Sequence, residues 1–353
     1  MKQQIRFCTS FDGTRLAFAT SGDGPALVRA PHWLTHLEYE PESPLWRPWI
    51  ERLSSGRTLV RMDARGCGLS DRDVREFSFA HYANDLEAVI DAAGHERFAL
   101  FGHSQGGAIA IEYAARHPHR VSHLILLGSY ARGSLMRGLP PERVAEMEAQ
   151  LKLVEVGWGR EDPTYRTMFS AQFVPGATLE QMNSLSELQR KSAPPENAVR
   201  LIRSFLAIDV TQSAPRLQCP TLVIHGRGDR RVPFEEGRDL ASRIPGARFV
   251  PLETANHILL SHEPAFVQFF EELRAFLPAA GSNLSGLTAR EGEILERIAQ
   301  GLDNTQIAAQ FALSEKTVRN HVTHIFDKLG VQTRAQAIVL ARERGLGQRS
   351  RFS

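Results

Sequence analysis

Up to about residue 278, the hydrophobic positions fall into short runs that alternate with longer amphipathic segments. The short apolar runs predict strands, and segments with apolar residues three and four positions apart predict helices between them. Because buried strands separated by helices form parallel sheets covered on both faces, we expect an α/β fold with a mostly parallel sheet. The predicted strands are 16–20, 26–30, 58–62, 97–101, 121–127, 221–225 and 248–252, and the predicted helices include 79–93, 108–116, 235–244 and 264–277.

The pattern changes twice along the chain. Over residues 132–215, Leu, Met, Glu, Gln and Arg recur at helical spacing and are interrupted by prolines, which we interpret as a helical insertion covering the carboxyl edge of the sheet. Small and polar residues then indicate a linker over 279–286. We therefore expect a first domain over 1–278 and an all-helical second domain over 287–346.

Composition and charge limit the possible classes of protein. No apolar run reaches the eighteen residues that a membrane helix needs, and the N-terminus lacks the apolar segment of a signal peptide. The three scattered cysteines fit neither a disulfide framework nor a metal site, so we expect a cytoplasmic protein without metal. The net charge is only +2, but residues 283–353 carry ten Lys and Arg against seven Asp and Glu, as a nucleic-acid module requires.

A Gly-His-Ser-Gln-Gly sequence at 102–106 lies between a predicted strand and a predicted helix. Glycines flank Ser104 because other side chains would clash in a sharp strand-to-helix turn, which also exposes the hydroxyl at the positive end of the helix. Asp229 follows a late strand and His257 follows the next, giving the chain order Ser, Asp, His of a hydrolytic triad. Asp209 and Asp239 are alternative acids, but neither follows a predicted strand through a Gly-x-Gly turn.

The loop at 63–70, Asp-Ala-Arg-Gly-Cys-Gly-Leu-Ser, completes a resemblance to the α/β-hydrolase family that covers residues 5–278. The resemblance implies that Ser104 attacks an acyl carbonyl, that His257 takes its proton as general base, and that Asp229 orients the imidazole. It implies a structural role for the loop and calls for no cofactor.

The oxyanion hole departs from the family pattern. The resemblance places one donor at the backbone N–H of Gln105, at the start of the following helix. The family usually has His-Gly after the third strand, whereas this chain has Arg-Ala-Pro-His-Trp at 29–33. Pro31 has no N–H, so we expect the second donor at His32 or Trp33.

The C-terminal segment predicts two helices joined by a short turn. Thr288 and Glu291 form a capping-box sequence at the start of the first helix of this domain. A short helix over 306–310 precedes a longer one over 315–329, and the longer helix begins after Ser314, a favourable N-cap. This is the arrangement of a helix-turn-helix.

The longer helix places its apolar residues on one face and polar residues on the other. Because recognition helices present their early residues to the major groove, we expect this polar face to contact DNA. Arg319 suits guanine edges and Asn320 suits adenine edges, while Lys328 lies nearer the DNA backbone. The predicted DNA-binding residues are Lys316, Thr317, Arg319, Asn320, Thr323 and Lys328.

Residues 284–346 resemble the LuxR-type DNA-binding domain. The resemblance rests on Leu-Thr-x-Arg-Glu at 287–291, Ser-x-x-Thr-Val-Arg-x-His-Val at 314–322 and Lys-Leu-Gly-Val at 328–331. It implies that the second helix of the motif enters the major groove and that the last helix, over 333–343, helps two domains to pair.

These patterns favour a transcription regulator that binds promoter DNA as a homodimer and whose hydrolase-like domain senses or hydrolyses a small molecule. One alternative is a serine esterase or lactone hydrolase in which catalysis is the main activity. Another is a hydrolase-like domain that serves only as a dimerisation scaffold, with its pocket filled by side chains. The helix-turn-helix decides the order of these hypotheses, because α/β-hydrolase folds host many functions.

Overall fold

A computed structural model describes residues 3–158, 160, 163–277, 287–342 and 346–347. The chain divides into two compact units, Met1–Leu277 and Pro278–Ser353. The predicted linker over 279–286 lies outside the described residues, as does Glu343 at the end of the predicted last helix. In the part that is described, no helix combines the length and apolar character needed to cross a bilayer.

An eight-stranded sheet forms the centre of the first unit, in the order β1-β2-β4-β3-β5-β6-β7-β8. The first two strands form an antiparallel hairpin at the edge of the sheet, and β2 is also antiparallel to β4. From β4 to β8 neighbouring strands are parallel. The strands are β1 (Gln3–Thr9), β2 (Arg15–Ser21), β3 (Ala26–Arg29), β4 (Thr58–Met62), β5 (Phe98–His103), β6 (Val121–Leu127), β7 (Thr221–Gly226) and β8 (Arg248–Leu252).

Helices connect the parallel strands, so that every residue of β5 and β7 is buried. Four of these helices, α4 to α7, lie together between β6 and β7 in the chain, where the sequence predicts a helical insertion; we call them the cap. The helices of this unit are α1 (Arg47–Leu53), α2 (Phe79–Ala93), α3 (Gln105–Arg116), α4 (Pro141–Gly157), α5 (Pro163–Ser170), α6 (Leu179–Ser192), α7 (Pro195–Leu206), α8 (Phe234–Arg243) and α9 (Pro264–Phe276).

The loop after β4 holds neighbouring segments together through buried charges. Asp63 accepts hydrogen bonds from the backbone N–H groups of Leu37 (3.2 Å) and Leu69 (2.9 Å). Burial raises the pKa of Asp63 to about 7. Arg65 donates two 2.7 Å hydrogen bonds to Asp85 on α2. These contacts are structural, as the resemblance implies for this loop.

The second unit contains four described helices around a small apolar core. Capping boxes begin α10, where Thr288 pairs with Glu291, and α11, where Asp303 pairs with Gln306. Ser314 caps α12, as the sequence predicts. The helices are α10 (Ala289–Ala299), α11 (Asn304–Phe311), α12 (Glu315–Leu329) and α13 (Arg334–Arg342).

Candidate functional site

Ser104 occupies a strained turn between β5 and α3. Its backbone φ of 55° lies in the left-handed region, which residues other than glycine rarely adopt. Such strained backbone conformations cluster at functional sites. A Cβ at Gly102 would lie 2.5 Å from the Gly107 Cα, and one at Gly106 would lie 2.6 Å from the Pro31 carbonyl oxygen. The two flanking glycines are therefore required for the turn that presents the serine.

The carboxylate and the imidazole of the predicted triad are in direct contact. His257 Nδ1 lies 2.7 Å from Asp229 Oδ2, and the other carboxylate oxygen accepts hydrogen bonds from the N–H groups of Arg231 (2.8 Å) and Val232 (3.0 Å). Burial opposes ionisation of Asp229, but His257 and the Val232 N–H outweigh it and hold the pKa of this carboxyl below its usual value. An ionised Asp229 fixes the His257 tautomer with its proton on Nδ1.

The other imidazole nitrogen, His257 Nε2, is buried and has no hydrogen-bond partner among the described residues. With Nδ1 protonated, Nε2 carries a lone pair that can accept a proton. The structure gives no hydrogen bond between this atom and Ser104 within the described part of the chain, a contact that is often loose in a hydrolase without substrate.

The imidazole of His257 is held between two rings. The His103 ring stacks on it with centroids 5.0 Å apart, and the Phe173 ring meets it edge-on at 5.9 Å. Burial and the neighbouring His257 lower the pKa of His103, so His103 is neutral and packs against the His257 ring. The backbone carbonyl oxygen of Phe173 also accepts a 2.8 Å hydrogen bond from the His257 backbone N–H, and this bond anchors the loop that carries the histidine.

Backbone donors are available near Ser104. The N–H of Gln105 begins α3, and among described residues neither it nor the N–H groups of His32 and Trp33 have a hydrogen-bond acceptor. Trp33 and Gln105 border the same cavity as Ser104, whereas the His32 ring is buried against the Trp46 ring, with the two centroids 4.4 Å apart. This geometry favours Trp33 over His32 as the second donor.

A cavity of about 50 Å³ adjoins Ser104. This volume is several times the roughly 10–15 Å³ that one water needs, so a short acyl group fits. Residues of the sheet edge and of the segment between β6 and β7 both contribute to its wall. The lining residues are Trp33, Ser104, Gln105, Tyr130, Ser134, Arg137, Phe173, Ile202, Phe205, Leu206, Arg231 and Val232.

In the second unit, α12 presents a polar face to solvent. Its apolar residues Val318, Val322 and Ile325 are buried, as the sequence pattern predicts. Arg319 and Asn320 are exposed. The exposed predicted DNA-binding residues are Lys316, Arg319, Asn320, Thr323 and Lys328, and Thr317 is partly buried.

Two of these side chains have partners within the unit. The Lys328 ammonium lies 2.7 and 3.0 Å from the two carboxylate oxygens of Glu291, so it links the end of α12 to the start of α10. The Thr323 hydroxyl donates to the Arg319 carbonyl oxygen at 3.1 Å. A contact between Lys328 and a DNA phosphate must compete with the Lys328–Glu291 ion pair. Lys316 and Arg319 form no ion pair with a described residue.

Residues 37–264 match the profile of the family described as alpha/beta hydrolase fold. The chain belongs to this family. Residues 285–341 match the profile of the bacterial regulatory proteins of the LuxR family. The protein is therefore a fusion of an α/β-hydrolase domain with a LuxR-type domain, in agreement with both resemblances.

Known relatives of the α/β-hydrolase family cover the larger part of the chain. Pyrrolizixenacetamide deacetylase from Xenorhabdus hominickii is 27% identical over 269 residues, which cover 74% of this chain and 94% of the relative. Pimeloyl-[acyl-carrier protein] methyl ester esterase from Aliivibrio salmonicida is 29% identical over 75% of this chain and 96% of the relative. The solved structure of an esterase from Exiguobacterium antarcticum has a TM-score of 0.63 at 22% identity, over 76% of this chain and 98% of that one, and shows the same fold.

Asp229 contacts His257, whereas the two alternative acids, Asp209 and Asp239, have other partners. Asp209 forms a β-bridge with Arg132 and accepts hydrogen bonds from Thr211, and Asp239 pairs with Arg243 on α8. In the described residues, no group of three or more His, Cys, Asp or Glu side chains is placed to hold a metal ion.

Sequence reasoning missed two features of the hydrolase site. The first is Glu40, a buried carboxylate that pairs with Arg29 and Arg61 beside the loop carrying Trp33. The second is a pair of arginines, Arg137 and Arg231, in the wall of the cavity. No local motif predicts the position of Glu40 or Arg137. For Arg231 there is a weak signal, because the consecutive Asp-Arg-Arg at 229–231 follows a strand and places a charged side chain near Asp229.

Proposed function

We propose that this protein is a cytoplasmic, homodimeric transcription regulator that binds promoter DNA through α12 and whose hydrolase domain holds a small molecule that alters this binding. The single observation that carries the proposal is the exposed polar face of α12 in a LuxR-type domain on the same chain as a hydrolase pocket. A helix that exposes Arg319 and Asn320 near its N-terminal end has the side chains needed for guanine and adenine edges.

A second function, hydrolysis of an ester or lactone, is favoured by the geometry around Ser104. The ionised Asp229, together with His257 Nε2 and the Gln105 N–H, which have no hydrogen-bond partner in the described part of the chain, supply the parts of a serine hydrolase. The names of the relatives, a deacetylase and a methyl ester esterase, agree with acyl chemistry. The open cavity argues against a hydrolase domain that is only a scaffold.

DNA binding is tested by fluorescence anisotropy with the duplex upstream of the protein's own gene and a scrambled duplex of equal length. We expect salt-sensitive binding that favours the upstream duplex. Arg319→Gln is expected to weaken specific binding by roughly 10–100-fold, because a bidentate base contact contributes about 1–3 kcal/mol. Arg143→Gln removes one exposed cation from the cap helix α4 and is the charge-matched control. Equal affinity for both duplexes, or equal effects of the two variants, contradicts the proposal.

The sensor and the enzyme hypotheses are separated by Ser104→Ala. A fluorophosphonate probe that labels the wild type and not this variant indicates a reactive serine. If small-molecule extracts change DNA binding of the wild type and the variant alike, the pocket acts as a receptor. If only the wild type responds, the response requires chemistry at Ser104.

A further inference from the structure

Two arginines in the wall of the hydrolase cavity differ in how their charge is balanced. Arg137 has partners, because its Nε lies 3.2 Å from Glu236 Oε2 and donates to the Arg132 carbonyl oxygen at 2.8 Å. Its guanidinium also lies 5.3 Å from the centroid of the Tyr130 ring. The charge of Arg137 is therefore compensated within the protein.

Arg231 forms no such ion pair within the described part of the chain, although Asp229 and Tyr130 act on its charge from a longer distance and oppose the lowering of its pKa by burial. Among the described residues, its guanidinium makes no ion pair and no hydrogen bond, and its one close partner is the Phe173 ring, 5.2 Å from the centroid. The neighbouring carboxylate, Asp229, is already occupied by His257 Nδ1 and by two backbone N–H groups. The Arg231 guanidinium is therefore a partly buried cation in the cavity wall, and its N–H groups are available to an anionic ligand.

The position of Arg231 relates this charge to the reacting groups. Phe173, on which the guanidinium stacks, also contacts the His257 ring, and Ser104 lines the same cavity. An anionic group beside Arg231 therefore shares the cavity with a carbonyl presented to Ser104. The apolar side chains of Ile202, Phe205 and Leu206 form another part of the lining and suit the carbon chain between the two groups.

We propose that the cavity selects a short ester or lactone whose acyl part carries a carboxylate, and that Arg231 binds this carboxylate. The inference rests on the proposed function in assuming that the pocket holds a small molecule. A planar guanidinium matches the two oxygens of a carboxylate, and one unpaired cation matches a single negative charge. The cavity volume of about 50 Å³ is suited to a short acyl part.

The test is isothermal titration of the full-length Ser104→Ala protein, which cannot turn over an ester through this serine. Methyl hydrogen succinate carries one ester and one carboxylate, and dimethyl succinate is its neutral counterpart. We expect the anionic ester to bind at least tenfold more tightly. Adding Arg231→Gln should weaken binding of the anionic ester by roughly 10–100-fold, the range for a charge-assisted hydrogen bond, and change the neutral ester less than about threefold.

The neighbouring Arg230 is exposed, so Arg230→Gln is the charge-matched control and should keep the preference. Arg231→Lys should retain part of it, since the charge remains and the planar fork is lost. The proposal is overturned by equal binding of the two esters, by no measurable binding of either, or by an Arg231→Gln effect of the same size on both. Because the titration needs neither DNA nor turnover, its outcome is independent of whether the protein regulates transcription.

Discussion

Removing the charge of Glu40 tests how the hydrolase domain supports the loop next to its serine. Glu40 is fully buried and accepts hydrogen bonds from Arg29 Nη2 at 2.6 and 2.8 Å and from Arg61 Nη1. His32 Nε2 lies 3.3 Å from the same carboxylate. Burial opposes ionisation, but Arg29, His32 and Arg61 outweigh it and hold the pKa of Glu40 far below its usual value. Glu40→Gln keeps the shape of the side chain and removes the charge.

The expected loss of stability depends on which hydrogen-bond acceptors Arg29 and Arg61 keep when Glu40 is replaced. Arg29 Nη1 and Arg61 Nε are buried and already lack a hydrogen-bond partner among the described residues. The other side-chain acceptor of Arg61 is the amide oxygen of Gln3, which carries no charge. Breaking a buried ion pair by removing one partner costs about 3–5 kcal/mol. Since two buried cations lose the same counter-ion, we expect Glu40→Gln to lower the free energy of unfolding by about 4 kcal/mol.

Urea titration followed by tryptophan fluorescence measures this loss in the hydrolase domain alone. All four tryptophans, at 33, 46, 49 and 158, lie in that domain. With an m-value of about 2–3 kcal/mol/M, a loss of about 4 kcal/mol moves the midpoint down by roughly 1.3–2 M. Glu42→Gln in the same turn is the control, because Glu42 is exposed and its replacement should change stability by less than about 0.5 kcal/mol.

A loss below about 1 kcal/mol for Glu40→Gln would refute the reasoning. A second variant keeps the test valid if the single one fails to fold. Arg29→Met, Glu40→Leu and Arg61→Met together remove all three charges, and replacing a whole buried ionic cluster with apolar residues is often neutral or stabilising. A triple variant less stable than Glu40→Gln would show that the cluster does more than balance its own charges.

Two further predictions concern the triad and the LuxR-type domain. Asp229→Asn should lower kcat for hydrolysis of a 4-nitrophenyl ester on the order of 10³–10⁴-fold by losing the His257 tautomer, whereas Asp209→Asn should leave it unchanged; equal effects would refute the assignment of the acid. The Lys328 ammonium and the Thr288 N–H lower the pKa of Glu291 to about 2, so the stability it contributes is present above pH 4.5 and is lost as the pH falls towards 2. Lys328→Met should lower the free energy of unfolding at pH 7 by about 0.5–1 kcal/mol and should flatten this pH dependence. Both effects are measured by hydrogen exchange of the α10 amides. An unchanged pH dependence would exclude the ion pair as its cause.

The parts of the fold that follow from local sequence were predicted closely. Helix 315–329 has the predicted ends because Ser314 caps its start and Gly330 adopts a φ of 65° at its end. The turn at Ser104 was predictable because its two glycines are required sterically. Asp229 was favoured over the alternatives because it follows a strand at the carboxyl edge of the sheet, where parallel strands bring their ends together.

The features that sequence reasoning missed depend on contacts between distant segments. Glu40 begins a 3₁₀ helix of only three residues, Glu40–Glu42, and its partners at 29 and 61 come from two different strands. Nothing in the sequence distinguishes Lys328, whose charge is paired with Glu291, from Lys316 on the same helix. For Arg231 the decisive property is that it lines the cavity without an ion pair to any described residue, which only the packed structure displays.

The walls of the cavity come from two parts of the hydrolase domain, and this gives the proposed ligand a way to change the conformation of that domain. The cavity is lined by Ser104 and Val232, which follow strands of the sheet, and by Phe205 and Leu206 in the cap region. A ligand shifts a conformational equilibrium only by as much as its affinity differs between the two states. A molecule that contacts both walls gains its full contacts only when the cap lies against the sheet. Each 1.4 kcal/mol of that difference moves the equilibrium tenfold. Under the proposed function, the contacts of a ligand with Phe205 and Leu206 are the ones that depend on the position of the cap, whereas an ion pair with Arg231, which follows β7, holds the ligand on the sheet side.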